Sequence, residues 1–322
     1  MDVRSSGRPV ALRSVGGYRP VGREGSDVTA ERCGSDAEWI RTRTGIVERG
    51  VAGPDESVAD MAVEAGAKAL AGAGVAAADV DLVLLATCST GTPMPGAAPE
   101  VAARLGATSA GACDVAGACA GFTYALSWAA DAVRAGSADT VLVVGSERMR
   151  DLLDLTDRVT APLFGDGAGA VVVSAGEADE PDGVGPPVWS HDGASAGLLR
   201  CEGAPPVMHM DGRAVYRWAT TTLPGLSRQA CERAGVTPAE LAGVVPHQAN
   251  VRITDAVVAA LGLGPDVAVA RDVVETGNTS AASVPLALER LLDRGEVRRG
   301  DPLLLLGFGA GLTAAGQVVR CP

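Results

Sequence analysis

The stretch YALSWAADAVRAGSADTVLVVG, residues 124–145, has a counterpart in LALERLLDRGEVRRGDPLLLLG, residues 286–307. The two copies lie 162 positions apart, about half of the 322-residue chain, and Gly145 matches Gly307 at their ends. Each copy has a helical pattern, a polar turn and an apolar strand. This shared order predicts an internal duplication, and therefore an α/β protein of two pseudo-symmetric halves with a site between them.

Around this repeat, apolar strands alternate with helical patterns. Continuous apolar runs are typical of strands that are covered on both faces. Such runs lie at 82–87, 140–145, 168–174 and 302–307. Helical patterns lie at 57–74, 97–105, 119–135, 222–234, 251–262 and 281–294. Residues 175–187 are acidic and rich in Pro and Gly, so we expect one half over residues 1–174 and the other over residues 175–322.

The composition disfavours several classes of protein. The net charge is −12, so nucleic-acid binding is unexpected. No apolar run reaches the length of about 18 residues that a membrane span needs, and no apolar signal segment opens the chain. The seven cysteines are irregularly spaced and form no CxxC motif. We therefore expect no membrane partner, no disulfide framework, no metal site and a cytoplasmic location.

Cys119 is the cysteine whose surroundings suggest chemistry. It begins the helical segment CAGFTYALSWAADAVRAG, residues 119–136, and lies between Gly117 and Gly121. The positive end of a helix dipole favours a thiolate, and flanking glycines leave room for a substrate. A small buried structural cysteine fits the same pattern, and we expect that role for the other six. The local context leaves both interpretations of Cys119 open.

His247 and Asn278 are two further candidates. His247 follows the apolar run LAGVVP, and α/β proteins place functional groups at the ends of strands. His191 and His209 lie in polar segments in which we predict no strand. Asn278 follows Gly277 and precedes a helical pattern of small residues. A structural histidine and an N-cap asparagine are the alternatives.

Three glycine-rich motifs resemble other kinds of site. GFGAGLTAAG, residues 307–316, departs from G-x-G-x-x-G at Leu312, and FGDGAGA, residues 164–170, lacks the lysine of a phosphate loop. GASAG, residues 193–197, matches the G-x-S-x-G elbow around Ser195, but its flanks do not predict the strand and helix that the elbow needs. Nucleotide binding and serine hydrolysis are therefore disfavoured.

Three segments together resemble a known family. DVAGACAGFTYAL (114–126), VPHQANVRI (245–253) and GNTSAASVPLAL (277–288) resemble, in this order and spacing, β-ketoacyl-acyl carrier protein synthase III of the thiolase-like condensing enzymes. SDAEWIRTRTGI (35–46) and DRVTAPLFGDGAGA (157–170) extend the resemblance over almost the whole chain. It implies a thiolase-like five-layer αβαβα fold, in agreement with the repeat, and a homodimer.

The resemblance also implies a role for each catalytic candidate. Cys119 would be the nucleophile that carries the acyl group, and His247 and Asn278 would bind the carbonyl oxygen of a second thioester. The backbone N–H groups of Cys119 and Ala310 would form an oxyanion hole, with Phe308 beside the thiol. Two neutral donors suit the enolate that forms when a malonyl thioester loses CO2. No metal or other cofactor is implied.

For substrate binding, the resemblance implies a coenzyme A site with stacking, phosphate-binding and amide groups. Its residues would be Trp39, Arg43, Arg158, Gly212, Asn250 and Arg252. Met94 would reach from the partner subunit into the acyl pocket. Arg213 departs from the family, which often has Asn at that position, so the primer and the approach of the carrier protein stay open.

The leading hypothesis is an acyltransferase that loads an acyl-CoA primer on Cys119. It would condense the primer with a malonyl thioester, held on acyl carrier protein, with loss of CO2. An alternative keeps the fold and moves the acyl group to an alcohol or amine. A third possibility is a non-catalytic partner subunit of a condensing heterodimer, which the presence of Cys119, His247 and Asn278 disfavours.

Overall fold

We describe the fold from a computed structural model of residues 7–92 and 94–322. In chain order its strands are β1 (Val10–Tyr18), β2 (Gly22–Gly25), β3 (Glu48–Val51), β4 (Leu82–Ala86), β5 (Gly111–Val115), β6 (Thr140–Arg148), β7 (Asp166–Ala175), β8 (Val188–Ser190), β9 (Leu199–Glu202), β10 (Val207–Met210), β11 (Gly243–Pro246), β12 (Ala268–Val269), β13 (Pro302–Gly309) and β14 (Thr313–Arg320). Its helices are α1 (Ser26–Arg32), α2 (Ala37–Thr44), α3 (Val58–Ala73), α4 (Ala98–Leu105), α5 (Gly121–Ala135), α6 (Gly212–Ala234), α7 (Val251–Leu261), α8 (Val273–Thr276) and α9 (Ser283–Asp293).

Two sheets of five strands share one topology. The strand order is β1-β7-β6-β4-β5 in the first sheet and β8-β14-β13-β11-β12 in the second. In each sheet the first three strands pair antiparallel and the last three pair parallel. Residues 176–187 link β7 of the first sheet to β8 of the second.

The helices form three layers around the two sheets. Helices α3 and α4 pack on the outer face of the first sheet, and α6 and α7 pack on the outer face of the second. Helices α5 and α9 lie between the sheets, where Phe122, Leu126 and Leu288 are buried with Val143 of β6 and Leu305 of β13. The layer order is therefore αβαβα, as the family resemblance implies.

The predicted repeat is present in the fold. Helix α5 begins at Gly121 and α9 at Ser283, while β6 begins at Thr140 and β13 at Pro302. Both pairs are 162 positions apart, which is the offset of the repeated sequence. The two helix–strand units therefore occupy equivalent places in the two halves.

Several predicted elements are longer than the sequence suggests. Helix α6 starts ten residues before the predicted 222–234, because the Asp211 side chain accepts hydrogen bonds from the N–H groups of Arg213 and Ala214 and caps it there. The predicted strand 140–145 continues to Arg148. Within residues 7–92 and 94–322, no helix is both long and apolar enough to cross a membrane.

Candidate active site

Three strained turns surround the candidate site. Single-turn 3₁₀ segments precede α5 at Ala118–Ala120, precede α9 at Ser280–Ala282 and follow β13 at Ala310–Leu312. In the described part of the chain, the non-glycine residues with positive φ are Ala118 (44°), Ser280 (49°) and Leu312 (43°), one in each turn. Such backbone conformations persist where the surrounding structure enforces them, and they cluster at functional sites.

Cys119 lies in the first of these turns and is 6% exposed. The end of β13 passes directly beside it. A Cβ atom added at Gly309 would lie 2.7 Å from the Cys119 Cβ and 3.1 Å from its Sγ. Since such contacts do not fit, only glycine at position 309 lets β13 approach the thiol this closely.

The Cys119 thiol is protonated in the resting protein. Burial raises its pKa to about 12, and the charge of Glu147 acts in the same direction. The nearby Ser280 hydroxyl and the backbone N–H of Cys119 lower the pKa, but they do not outweigh burial. Burial therefore opposes the effect of the helix end, because loss of solvent disfavours the charged form of the thiol.

His247 directly follows β11 and is buried. Its Nδ1 lies 2.7 Å from the Ser283 Oγ, which also accepts a hydrogen bond from the backbone N–H of Gln248 at 3.3 Å. Ser283 can donate its hydroxyl hydrogen to Nδ1, and in that arrangement the histidine proton is on Nε2. Burial lowers the His247 pKa to about 3, so the ring is neutral at physiological pH. Phe308 packs edge-on against it, with ring centres 5.0 Å apart.

Three hydrogen bonds fix the position of Asn278. Its Oδ1 accepts from the Ser280 N–H at 2.8 Å. Its backbone N–H donates to the Leu163 carbonyl, and its own carbonyl accepts from the Gly165 N–H. Because Oδ1 is occupied by a backbone donor, the amide NH2 group is left to donate elsewhere.

One cavity of about 1740 Å³ brings most of the predicted residues together. The predicted residues among its lining are Cys119, His247, Asn278, Trp39, Arg43, Arg158, Gly212, Asn250, Arg252 and Phe308. Two of the predicted residues, Ala310 and Met94, are not among the described residues that line the cavity. Ala310 follows Gly309 in the third turn, and Met94 lies 85% exposed in the loop between β4 and α4.

More arginines than carboxylates line the cavity, and Arg200 among them is paired with Glu202. The cationic lining residues are Arg43, Arg158, Arg200, Arg213, Arg217 and Arg252. The carboxylates of Asp154, Asp157 and Asp211 also line it, but each accepts hydrogen bonds from backbone N–H groups of its own loop. Arg252 packs over the ring of Tyr216, 5.2 Å from its centre, which orients the guanidinium at the opening.

His209 corrects an expectation from the sequence. It lies on β10, opposite Arg200 of β9, and lines the cavity, whereas we expected no strand there. The strand is only four residues long and reads VMHM, which gives too short an alternation to predict. His191 follows β8 and is exposed, with Nδ1 accepting from the Gly193 N–H.

Comparison with known proteins identifies the family. Residues 113–193 match the family model of 3-oxoacyl-[acyl-carrier-protein (ACP)] synthase III, and residues 231–321 match the model of its C-terminal part. The chain is also 52% identical to β-ketoacyl-[acyl-carrier-protein] synthase III 4 of Streptomyces coelicolor, over 97% of this chain and 98% of that protein. The chain belongs to the 3-oxoacyl-[acyl-carrier-protein] synthase III family.

Relatives with solved structures agree with this synthase in fold. The priming β-ketosynthase of the R1128 polyketide pathway is 45% identical, with a TM-score of 0.95 over 98% of this chain and 97% of that one. The synthase III of Pseudomonas aeruginosa is 39% identical, with a TM-score of 0.92 over 98% and 99% of the two chains. The thiolase-like fold and the family predicted from the sequence are confirmed. The protein is an acyltransferase of the synthase III type, which catalyses decarboxylating condensation.

Two buried residues of the synthase were not found from the sequence. Glu147 lies in β6 behind Cys119, and the predicted strand ended two residues before it. An acidic residue directly after the apolar run TVLVVG is the signal that could have found it. Arg49 is fully buried and donates to the carbonyls of Ala161 and Pro162. It thereby holds the loop that contains Arg158, and nothing in its local sequence indicates this.

Proposed function

We propose that the synthase transfers an acyl group from acyl-CoA to Cys119 and condenses it with malonyl-acyl carrier protein, releasing CO2. The observation that carries this proposal is the convergence of Cys119, His247 and Asn278 on one cavity with an arginine-rich mouth. The thiol supplies the acyl acceptor, the two neutral side chains supply donors for an enolate, and the arginines supply charge for phosphate groups.

In the loading step, the Cys119 sulfur attacks the thioester carbonyl of acyl-CoA. Negative charge then develops on the carbonyl oxygen, which we assign to the backbone N–H groups of Cys119 and Ala310. Preorganised donors of this kind stabilise the tetrahedral intermediate without rearranging. The absence of a side chain at Gly309 supports this assignment, because it leaves the sulfur open on the Ala310 side.

In the condensation step, the malonyl carbonyl oxygen accepts from His247 Nε2–H and from the Asn278 amide. As CO2 leaves, the charge of the enolate develops on this oxygen, and the enolate carbon attacks the acyl group on Cys119. Two observations support these roles: Ser283 can donate to Nδ1 and leave the proton on Nε2, and the Ser280 N–H occupies Asn278 Oδ1. Both donors are neutral, so neither readily quenches the enolate by giving up its proton.

We assign coenzyme A, and the pantetheine arm of the carrier protein, to the outer part of the cavity. Trp39 is half exposed at the rim and suits stacking on adenine, with Arg43, Arg158 and Arg252 for adenine or phosphates. Asn250 caps α7 through its Oδ1, which leaves its NH2 group for a pantetheine carbonyl. Gly212 offers a surface without a side chain beside that arm.

We also propose a homodimer, with Met94 of each subunit closing the acyl pocket of the other. Strand β5 is the edge of the first sheet. Its Asp114 accepts from the N–H groups of Ala97 and Ala98, so the loop with Met94 is fixed to that edge. An edge strand beside an 85% exposed methionine suits pairing with a second copy across a two-fold axis. We place the reaction in the cytoplasm, where its seven free cysteines stay reduced.

Intact-protein mass spectrometry tests the proposal. The synthase is exposed to a panel of short, branched and longer acyl-CoA species, then to malonyl-acyl carrier protein, while CO2 and 3-oxoacyl-carrier protein are measured. We expect one acyl adduct, lost in Cys119→Ala and kept in the matched control Cys113→Ala, whose thiol is on the exposed edge of β5. Transfer to an alcohol or amine without CO2 release would contradict the condensation.

A further inference from the structure

The side chain of Arg49, in β3, is completely buried, with 0% exposure. It forms no ion pair with a carboxylate of the described residues, and its Nε has no hydrogen-bond partner among them. Burial lowers its pKa to about 10, so it still carries its charge at physiological pH. A buried cation without a counter-ion is unfavourable, so the remaining contacts of Arg49 indicate why the fold keeps it.

Two of these contacts hold the loop that carries Arg158. The Nη1 atom of the guanidinium donates to the carbonyl oxygens of Ala161 and Pro162, at 3.2 and 2.8 Å. On the other side of Arg158, the Asp157 side chain accepts from the Thr160 N–H at 3.1 Å and closes the loop into a turn. The turn is rigid within itself, and the guanidinium attaches its second end to the protein interior. The place of Arg158 on the cavity wall therefore depends on Arg49.

A third contact of the guanidinium reaches the helix that carries Trp39 and Arg43. The Nη2 atom donates to the Ser26 hydroxyl at 2.9 Å, and that hydroxyl donates to the Ile46 carbonyl at 2.8 Å. The Ile46 N–H in turn donates, at 3.0 Å, to the hydroxyl of Thr44, the last residue of α2. One guanidinium is therefore joined both to α2 and to the loop described above, and residues of both elements line the cavity.

The packing around Arg49 confines its side chain to this course. A Cβ atom at Gly277 would lie 2.9 Å from the Arg49 Cβ, and one at Gly165 would lie 3.2 Å from it. The planar guanidinium can donate from two nitrogens in different directions, whereas a lysine ends in a single nitrogen. Asn278 adjoins Gly277 but has its own backbone bonds to Leu163 and Gly165. The enolate donor is therefore held without a bond to Arg49.

We propose that Arg49 is a positioning residue for the nucleotide half of coenzyme A. It fixes α2 and the Arg158 loop relative to each other, and so sets the affinity for acyl-CoA but not for thioesters without a nucleotide. This inference rests on the proposed function, which assigns Trp39 of α2 and Arg158 of the loop to that nucleotide. The pantetheine arm is assigned to other residues, such as Asn250, whose side chain caps α7. A carrier protein presents this arm without adenine, so the loading step should depend on Arg49 and the malonyl step should not.

Arg49→Lys and a matched control, Arg13→Lys, test this role. Arg49→Lys keeps the charge but loses the fork that joins the two elements. Arg13, in β1, also donates to a hydroxyl and to a carbonyl, those of Ser174 and Ala175, at 2.8 Å each. None of these three residues is among the described residues that line the cavity. Thermal unfolding of both variants monitors the fold.

The first readout is the second-order rate constant for acylation of Cys119 by two donors, acetyl-CoA and acetyl-pantetheine, which lacks the nucleotide. We expect Arg49→Lys to lower the ratio of the two constants about tenfold, because the groups that bind the nucleotide are displaced. Arg13→Lys should leave the ratio unchanged. A purely structural role of Arg49 predicts equal losses with both donors, and that result would overturn the proposal.

The second readout needs no acyl transfer. The Kd of coenzyme A, measured by calorimetry, should rise about tenfold in Arg49→Lys, while KM for malonyl-acyl carrier protein keeps its wild-type value. Ser26→Ala removes only the hydroxyl on the α2 side and should raise the same Kd about threefold, which tests the proposal even if Arg49→Lys does not fold. An unchanged Kd in every folded variant would overturn the proposal. Failure of the wild-type protein to accept an acyl group from either donor would overturn the proposed function instead.

Discussion

Ala118 and Ser280 occupy equivalent positions in the two halves of the synthase, 162 residues apart, and both have positive φ, 44° and 49°. Each begins the single 3₁₀ turn that leads into the central helix of its half. Ala118 directly precedes Cys119, and Ser280 donates to Asn278. The duplicated turn thus has two uses: in one half it carries the nucleophile, and in the other it fixes an enolate donor.

The two enolate donors can be separated from acyl loading. His247→Ala or Asn278→Ala should lower the rate of malonyl-thioester decarboxylation by roughly 10²–10³-fold, because each removes one preorganised donor. Acylation of Cys119 should largely persist in both. Radiolabelled CO2 release and intact mass, measured on the same samples, check the two half-reactions. A variant that decarboxylates at the wild-type rate excludes that residue as an enolate donor.

The decarboxylation half-reaction should not follow an ordinary histidine titration. Burial lowers the pKa of His247 from 6.5 to about 3, so the ring stays neutral as the pH falls from 8 to 5. CO2 release from malonyl thioester, measured across this range in the Cys119→Ala variant, should therefore stay flat. A decline centred near pH 6.5 would mean that the ring is accessible to solvent. In the unfolded chain this histidine binds a proton below 6.5, so it destabilises the fold increasingly as the pH falls towards 3.

Gly309→Ala should impair acylation without unfolding the protein. The new methyl group would lie 2.7 Å from the Cys119 Cβ, and displacement of the sulfur by a fraction of an ångström is expected to lower the acylation rate by roughly 10²-fold. Gly264→Ala is the matched control, since a Cβ there meets no atom within 4 Å. Equal acylation rates in the two variants would show that the β13 backbone can shift to accommodate the added methyl group.

Binding of the carrier protein should depend on a local cationic surface. The synthase has a net charge of −12, so association with an acidic carrier must overcome repulsion. Arg252→Glu at the cavity mouth should raise KM for malonyl-acyl carrier protein by roughly tenfold at low salt, and less at high salt, where charges are screened. Arg299→Glu, on the exposed segment before β13, is the control of equal charge change. Similar KM values for both variants would remove Arg252 from the docking surface.

Met94 should set the upper limit of primer length. If it closes the partner's acyl pocket, Met94→Ala enlarges that pocket and favours longer primers, by about 0.8 kcal/mol for each further buried methylene. Met94→Trp should restrict the enzyme to acetyl-sized groups. The measurement is the ratio of kcat/KM for acetyl-CoA and hexanoyl-CoA. An unchanged ratio across the three proteins would show that Met94 does not line the pocket.

The sequence predicts the layers of the fold because its strands are continuously apolar and its helix–strand unit occurs twice. It also indicates Cys119, His247 and Asn278, since each lies at the junction of a turn or strand with a helix. Those junctions are visible as changes of pattern. The three residues come from separate segments, but each lies at the end of a strand or the start of a helix. That shared position is enough to identify them as candidates for one site.

Other properties of the site depend on distances that no local pattern encodes. The pKa of the Cys119 thiol depends on how deeply the thiol is buried. The position of Cys119 at a helix start, which is visible in the sequence, gives no information on that burial. Arg49 acts on a loop more than 100 positions away, at Ala161 and Pro162. His209 reaches the cavity through a four-residue strand that is too short to predict.

The repeat of β6 and β13 bears on how such a protein acquires one site rather than two. Along the repeat, Glu147 corresponds to Gly309, so the same position holds a carboxylate in one half and no side chain in the other. While two identical chains pair, any substitution enters both pockets at once. Fusion into a single gene ends that constraint, because each half then mutates alone. The glycine beside the nucleophile and the acid at the equivalent position of the other half could then be selected independently, and a symmetric ancestor could become an enzyme with one active site.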